Sequence, residues 1–308
     1  MRIIAVLVLL LSCAAHAQFR PGYSLYKQPN VKWAFPPNNL HIYDTGKVAN
    51  VTEQRFNEII DDVMKYWTPI AKAKGVTLTV DKKWNDSTVN AFANQSGKNW
   101  MVAMFGGLAR RPEITEDGFA LVVCHELGHH FGGYSFYGAT EWASAEGEAD
   151  FFATNVCAKA IWGLQTQRNM AYLHATNVPP SVTEKCHSVW GSNPKAEAWC
   201  IRTAAGGFSL AHLLSVLGGK GIPSFDTPDQ TVVSKTNPDH PEGQCRLDTY
   251  FAGALCNKKW DMNVIPAKGF PQGQDTAGAE LEAMKYSCFA KEGFKLGTRP
   301  ACWFKALN

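Results

Sequence analysis

One stretch constrains this chain more than any other: Phe119-Ala120-Leu121-Val122-Val123-Cys124-His125-Glu126-Leu127-Gly128-His129. The six residues before His125 are too apolar for an exposed helix. The segment therefore predicts a buried helix that Pro112 to Thr115 lead into and that runs to about His130. On a helix, residues four apart share a face, so His125 and His129 can hold one ion together. Glu126 sits beside them, where a carboxylate can take a proton from water at that ion. Two imidazoles and one carboxylate at this spacing are what zinc-dependent hydrolysis requires. A polar trio at the end of a buried apolar helix also needs partners, and a metal is the natural one.

Zinc takes a third protein ligand. In one extended pattern a Gly and then a His or Asp follow three and six residues after the second His. Gly132 fits, but Ser135 occupies the ligand position, so that pattern fails. The other source is a carboxylate on a second helix, expected from Glu141 to about Ile161. Within it Glu146 and Asp150 are four apart. Glu146 is expected to ligate the zinc, and Asp150, one turn on, to accept a hydrogen bond that fixes the tautomer of a ligand histidine. Glu148 points to another face and Glu141 lacks the Asp one turn later, so both are weaker candidates. Phe151-Phe152-Ala153 continues this segment and argues that it is buried.

The rest of the chain is expected to support one domain. With 308 residues, 45% hydrophobic and 19% charged, it can bury a core, and a net charge of +3 is too small to imply nucleic-acid binding. Arg2, the apolar run Ile3 to Leu11 and Ala15-His16-Ala17 read as an export signal over residues 1–17, with cleavage after Ala17. Leu10-Leu11-Ser12-Cys13 offers an alternative, a lipid anchor at Cys13. No later segment is expected to span a membrane, so the protein should be secreted or periplasmic. Eight cysteines remain beyond the signal, which suits an exported, disulfide-bonded chain. Nearness in sequence pairs Cys186–Cys200, Cys245–Cys256 and Cys288–Cys302, leaving Cys124–Cys157 to tie the two metal helices; the alternative for these two is buried thiols.

Residues 18–50, rich in Pro, Asn and aromatics, read as an irregular arm. That arm could be a pro-segment, although it has no cysteine or other evident zinc-blocking group. A helix is expected over 52–73, strands at Val76–Val80, Val89–Ala93 and Trp100–Met104, and helices over Lys195–Leu217 and Thr276–Cys288. The fold class is therefore α+β, with a small sheet and two metal-binding helices over about 52–160. A cysteine-rich remainder over about 165–308 completes a domain of residues 51–308.

In order along the chain, Val89-Asn90-Ala91-Phe92-Ala93, Gly97, Gly106-Gly107-Leu108, His125-Glu126-x-x-His129 and Glu146-x-x-Ala149-Asp150 resemble the gluzincin metallopeptidases of the HtpX and CAAX-prenyl-protease type. These include periplasmic quality-control members such as BepA. The resemblance covers roughly residues 52–160, with a weaker echo at Asp239-His240-Pro241 and Arg246. It implies a zincin-like fold and a zinc endopeptidase acting on protein or peptide substrates, with the substrate chain along an edge strand near Asn90 to Ala93 or Trp100 to Met104. It also implies that His240 helps to stabilise the oxyanion, with Arg246 as a structural partner. Asp239 stands where the family has Thr, and only 16 residues separate His129 from Glu146. Two other functions fit the same residues: a non-catalytic zinc-dependent binding or chaperone module, and a metal-dependent amidase acting on cell-wall peptides.

Overall fold

The computed structural model describes residues 31–44, 49–137, 142–175, 177–272 and 274–307. The expected export segment, Cys13 and residues 18–30 of the arm lie outside them. Helix α1, Glu53–Ala73, buries Phe56, Ile59, Ile60, Val63, Met64, Trp67 and Ala71 along one face. Thr52 starts it, its hydroxyl accepting from the Arg55 amide. Gly75, at φ 73°, turns the chain into β2, Thr77–Lys83. Strands β3, Ala91–Ser96, and β4, Asn99–Phe105, are joined by a tight turn with Gly97 at φ 57°.

The fourth strand corrects an expectation. Residues Val31–Trp33, in the arm expected to be irregular, form β1, and the sheet order is β1-β3-β4-β2. β1 runs antiparallel to β3, β3 antiparallel to β4, and β4 parallel to β2. The segments expected near an open edge are thus interior: β1 covers β3 and β2 covers β4. Strand alternation explains the faces. Ala91, Ala93, Val102 and Met104 join the main core with α1, whereas Trp33, Phe92 and Phe105 form a small aromatic cluster on the other side.

Helices occupy the rest. The short α2, Gly106–Ala109, precedes α3, Glu116–Phe131, whose residues from Asp117 to Phe131 are all buried. Thr115 caps α3 by accepting from the Gly118 amide at 3.0 Å. α4, Glu146–Phe152, continues through a π-helical stretch, Ala153–Ala158, into α5, Lys159–Trp162. The helix expected from Glu141 therefore starts at Glu146, because Trp142 to Ala145 are not helical. Then come α6, Thr166–Met170; α7, Pro180–Trp190; α8, Pro194–Leu217; α9, Gly243–Leu255; and α10, Ala277–Ala283, shorter than the helix expected there. Contrary to the expectation from sequence, α8 is long and apolar enough by length and composition to cross a membrane. Here it lies in the core, against α3, α7 and α9, with Arg202 buried on it.

Cys124–Cys157 and Cys186–Cys200 pair as expected, but the other four cysteines form Cys245–Cys302 and Cys256–Cys288. The reason is α9. A helix rises about 1.5 Å per residue, so the segment between Cys245 and Cys256 holds them roughly 16 Å apart. That is far beyond the reach of a disulfide. Each takes a partner from the C-terminal tail instead, and the tail folds back so that Trp303 packs against Gly147 at the start of α4.

Candidate metal centre

Two helices build the centre because their backbones nearly touch. A Cβ on Gly128 of α3 would lie 2.7 Å from Cα of Ala149 on α4, so only glycine allows this approach. The Cys124–Cys157 disulfide ties α3 to the stretch that continues α4. At the crossing, His125 Nε2 lies 3.3 Å from Glu146 Oε2, and His129 Nε2 lies 3.6 Å from Glu146 Oε1. All three ligand atoms are within 4.8 Å of one another. Each imidazole is oriented through its other nitrogen: His125 Nδ1 donates to Asp150 Oδ1 at 2.8 Å, and His129 Nδ1 to the Ser144 carbonyl at 2.9 Å. Both Nε2 lone pairs are thereby directed at the common centre.

Asp150 is itself held. Arg246 on α9 donates to it from Nε at 2.6 Å and from a terminal nitrogen at 2.6 Å, and the Tyr250 hydroxyl donates at 2.6 Å. Arg246 and Tyr250 lie four apart on one helix, which brings both to the same carboxylate. Burial disfavours charge on Asp150, but Arg246 and His125 keep its pKa below the ordinary value. Burial also disfavours a charged His125, yet Asp150 and Glu146 outweigh it and raise that pKa to about 9. For His129 burial prevails and the pKa falls to about 4. Glu146 remains ionised against burial because histidines surround it, and its pKa lies well below the usual range.

Glu126 is fully buried beside these groups, and burial drives its pKa well above the ordinary value, with the charges of Glu146 and Asp150 adding to that rise. His240 also reaches the group: its Nε2 is 3.5 Å from Glu146 Oε2 and 2.7 Å from the Trp33 carbonyl oxygen. Glu148 points elsewhere and pairs with Arg299 at 2.8 Å, and Glu141 lies outside the described residues. His130 faces away, stacked between Trp100 and Trp142 with ring centroids 5.0 and 5.1 Å away. Three participants are not foreseen from the sequence: Tyr250; Tyr137, whose hydroxyl donates to Glu146 Oε1 at 2.8 Å; and the Ser144 carbonyl. Only Tyr250 carries a readable signal, its spacing from Arg246.

The donor set fits a cation. His125 Nε2, His129 Nε2, Glu146 Oε2 and both oxygens of Glu126 are buried without a hydrogen-bond partner among the described residues. The His125, His129 and Glu146 atoms converge on one point, and unmatched polar atoms gathered there are costly unless something positive sits among them. The fold and site thus define an α+β protein with a buried two-histidine, one-carboxylate group able to hold a metal ion. Comparison with family models, with curated proteins and with solved structures finds no match for the chain.

Proposed function

We propose that this chain is a zincin-like, zinc-dependent endopeptidase of exported type. The observation that carries the reading is Glu126: a buried carboxylate with two unmatched oxygens, next to three convergent ligand atoms. A site that served structure alone would have no use for a base there. Two nitrogens and one carboxylate oxygen are a donor set suited to zinc with a coordination position left open. His125, His129 and Glu146 would hold the ion. Bound zinc would supply a Lewis acid for the peptide carbonyl and acidify the attacking water.

The protein groups do the rest. Glu126, the carboxylate next to His125 on α3, takes the proton of the attacking water and passes it to the departing amine. A C–O bond forms, the C–N bond breaks, and the products are a carboxylate and an amine. His240 Nε2, a donor in this geometry, steadies the carbonyl oxygen as charge builds on it. Asp150 and the Ser144 carbonyl keep both ligand histidines in the required tautomer. The four disulfides are compatible with an extracellular or periplasmic location.

The test uses purified protein with an unfolded protein such as casein and, in parallel, with peptidoglycan peptides, with and without a chelator. Chelator-sensitive cleavage of casein is expected, and Glu126→Gln should reduce it by about 10²–10⁴-fold with metal content unchanged. Full activity in that variant sinks the mechanism. Turnover of the cell-wall peptides alone favours an amidase, and stoichiometric metal without turnover of either favours a binding module.

A further inference from the structure

We infer that residues 31–35 of this chain occupy the groove in which a peptide substrate has to lie, so that the site is filled by the protein's own backbone. The inference rests on the peptidase reading and goes beyond it by naming the occupant.

The peptide unit between Trp33 and Ala34 is gripped from both sides. The Ala34 N–H donates to the carbonyl of Ala91, the first residue of β3, at 3.0 Å. A trans peptide sends its N–H and C=O in opposite directions, so the Trp33 carbonyl points away from β3. His240 Nε2 meets it at 2.7 Å, and the same nitrogen is 3.5 Å from the Glu146 carboxylate. A carbonyl oxygen of the main chain thus rests on the side chain proposed to steady the oxyanion. The next carbonyl, of Ala34, accepts from Arg246 at 2.9 Å, and Arg246 is the group that holds Asp150. The Asn90 side-chain amide matches both the N–H and the C=O of Phe35, at 3.1 and 3.2 Å. On the other flank, the Lys32 ammonium sits 3.7 Å from the ring centre of Tyr137, whose hydroxyl bonds to Glu146.

Extended backbone added antiparallel to a strand is a general way for proteins to bind peptides without strong demand on sequence. Here the chain itself supplies that backbone. With the segment in place, His125, Glu126, His129 and Glu146 are at most 1% exposed, so no second polypeptide can reach them. β1 is only three residues long and sits at a sheet edge. Phe35, fully buried in the main core, anchors the C-terminal end of this segment. Opening must therefore occur on the N-terminal side of Phe35.

Two variants of the full-length chain test this. Val31 and Asn94 are register partners, so Val31→Cys with Asn94→Cys can lock β1 onto β3. Lys32→Pro removes a backbone amide from the strand and loosens it. The readouts are the rate at which a chelator strips zinc from the loaded protein and the rate of casein cleavage. If self-occupation governs access, the locked protein loses both rates by about tenfold or more relative to its single-cysteine control, and Lys32→Pro raises both. A locked protein that gives up zinc and cleaves casein at control rates overturns the inference and leaves the peptidase reading intact. Absence of cleavage in every form, with zinc release still slowed by the lock, supports self-occupation and sinks the peptidase reading instead. The lock keeps the inference falsifiable if Lys32→Pro does not fold.

Discussion

The two ends of α3 both bury acidic groups, yet they differ in how those groups are matched. At the N-terminal end Asp117 accepts from Arg202 at 3.0 and 2.7 Å, from Arg168 at 3.0 Å and from the Tyr172 hydroxyl at 2.8 Å. Arg202 gives its remaining terminal nitrogen to Gln165 and Asn169 at 2.8 and 2.9 Å. Each charge-bearing atom of the pair has a partner, and the network joins α3, α6 and α8. At the C-terminal end, the Nε2 atoms of His125 and His129 and both oxygens of Glu126 have none among the described residues. Burial alone therefore does not mark a functional site. A matched buried charge fastens helices together, and an unmatched convergent set is able to hold a cation.

The comparison can be broken most severely at its matched end. Arg202→Ala strands Asp117 in the core and is expected to destabilise the fold by about 3–5 kcal/mol, seen by denaturant unfolding, while zinc stoichiometry at 25 °C is unchanged. Loss of zinc with little loss of stability would reverse the roles assigned to the two ends. The unmatched end should respond to its ligand instead: zinc at about 100 times its Kd should raise unfolding stability by about 2.7 kcal/mol, and no such gain should survive in His129→Ala. Asp150→Asn, which disturbs the orientation of His125, is expected to weaken zinc binding by about 10–100-fold in a competition titration.

The smallest effect is a divergence with pH. The Asp117 pKa is lowered despite burial, chiefly by Arg202, so its contribution is complete above the unfolded value near 3.8 and is lost as pH falls through the folded value. His125 behaves oppositely in the cation-free protein. Raised to about 9, it contributes fully below the unfolded value near 6.5, and that contribution is lost as pH rises through 9. A cation must displace the His125 proton, so zinc affinity should increase with pH by up to about tenfold per unit between roughly pH 6 and 8. Calorimetric titrations at the two ends of that range would show it. A flat profile would mean that His125 is not a ligand.

Much of the centre is legible because it is written in local periodicity. The spacing of His125 and His129, the apolar run before them, and the Glu146 and Asp150 pair all depend on the 3.6-residue turn, which holds wherever a helix forms. Ser135, unable to serve as the third ligand, directs attention to a second helix, and the structure places Glu146 there. The cysteine pairing is half legible. Cys186 and Cys200 lie 14 residues apart on neighbouring helices, and Cys124 and Cys157 on two that cross, whereas the rigid rise of α9 forbids the short-range pairing of Cys245 with Cys256. The sheet edge is hidden for a different reason. Three residues, Val31 to Trp33, carry too little alternation to announce a strand, and β3 alone decides that they form one.

By itself, then, the sequence determined which helix carries the candidate histidine ligands, which carboxylate stands beside them, and that a second helix is the source of the third candidate. These are properties of residues within one or two turns of each other. Only the tertiary structure decided that α9 locks Asp150 through Arg246 and Tyr250, that Tyr137 and His240 meet Glu146, and that the backbone carbonyl of Trp33 meets His240. The contacts of Arg246 with Asp150 and of His240 with Glu146 join residues more than 90 positions apart, and those of Trp33 with His240 and of Ala34 with Arg246 span more than 200. Their geometry is set by how helices and sheet pack, and nothing in the local spacing of side chains encodes it.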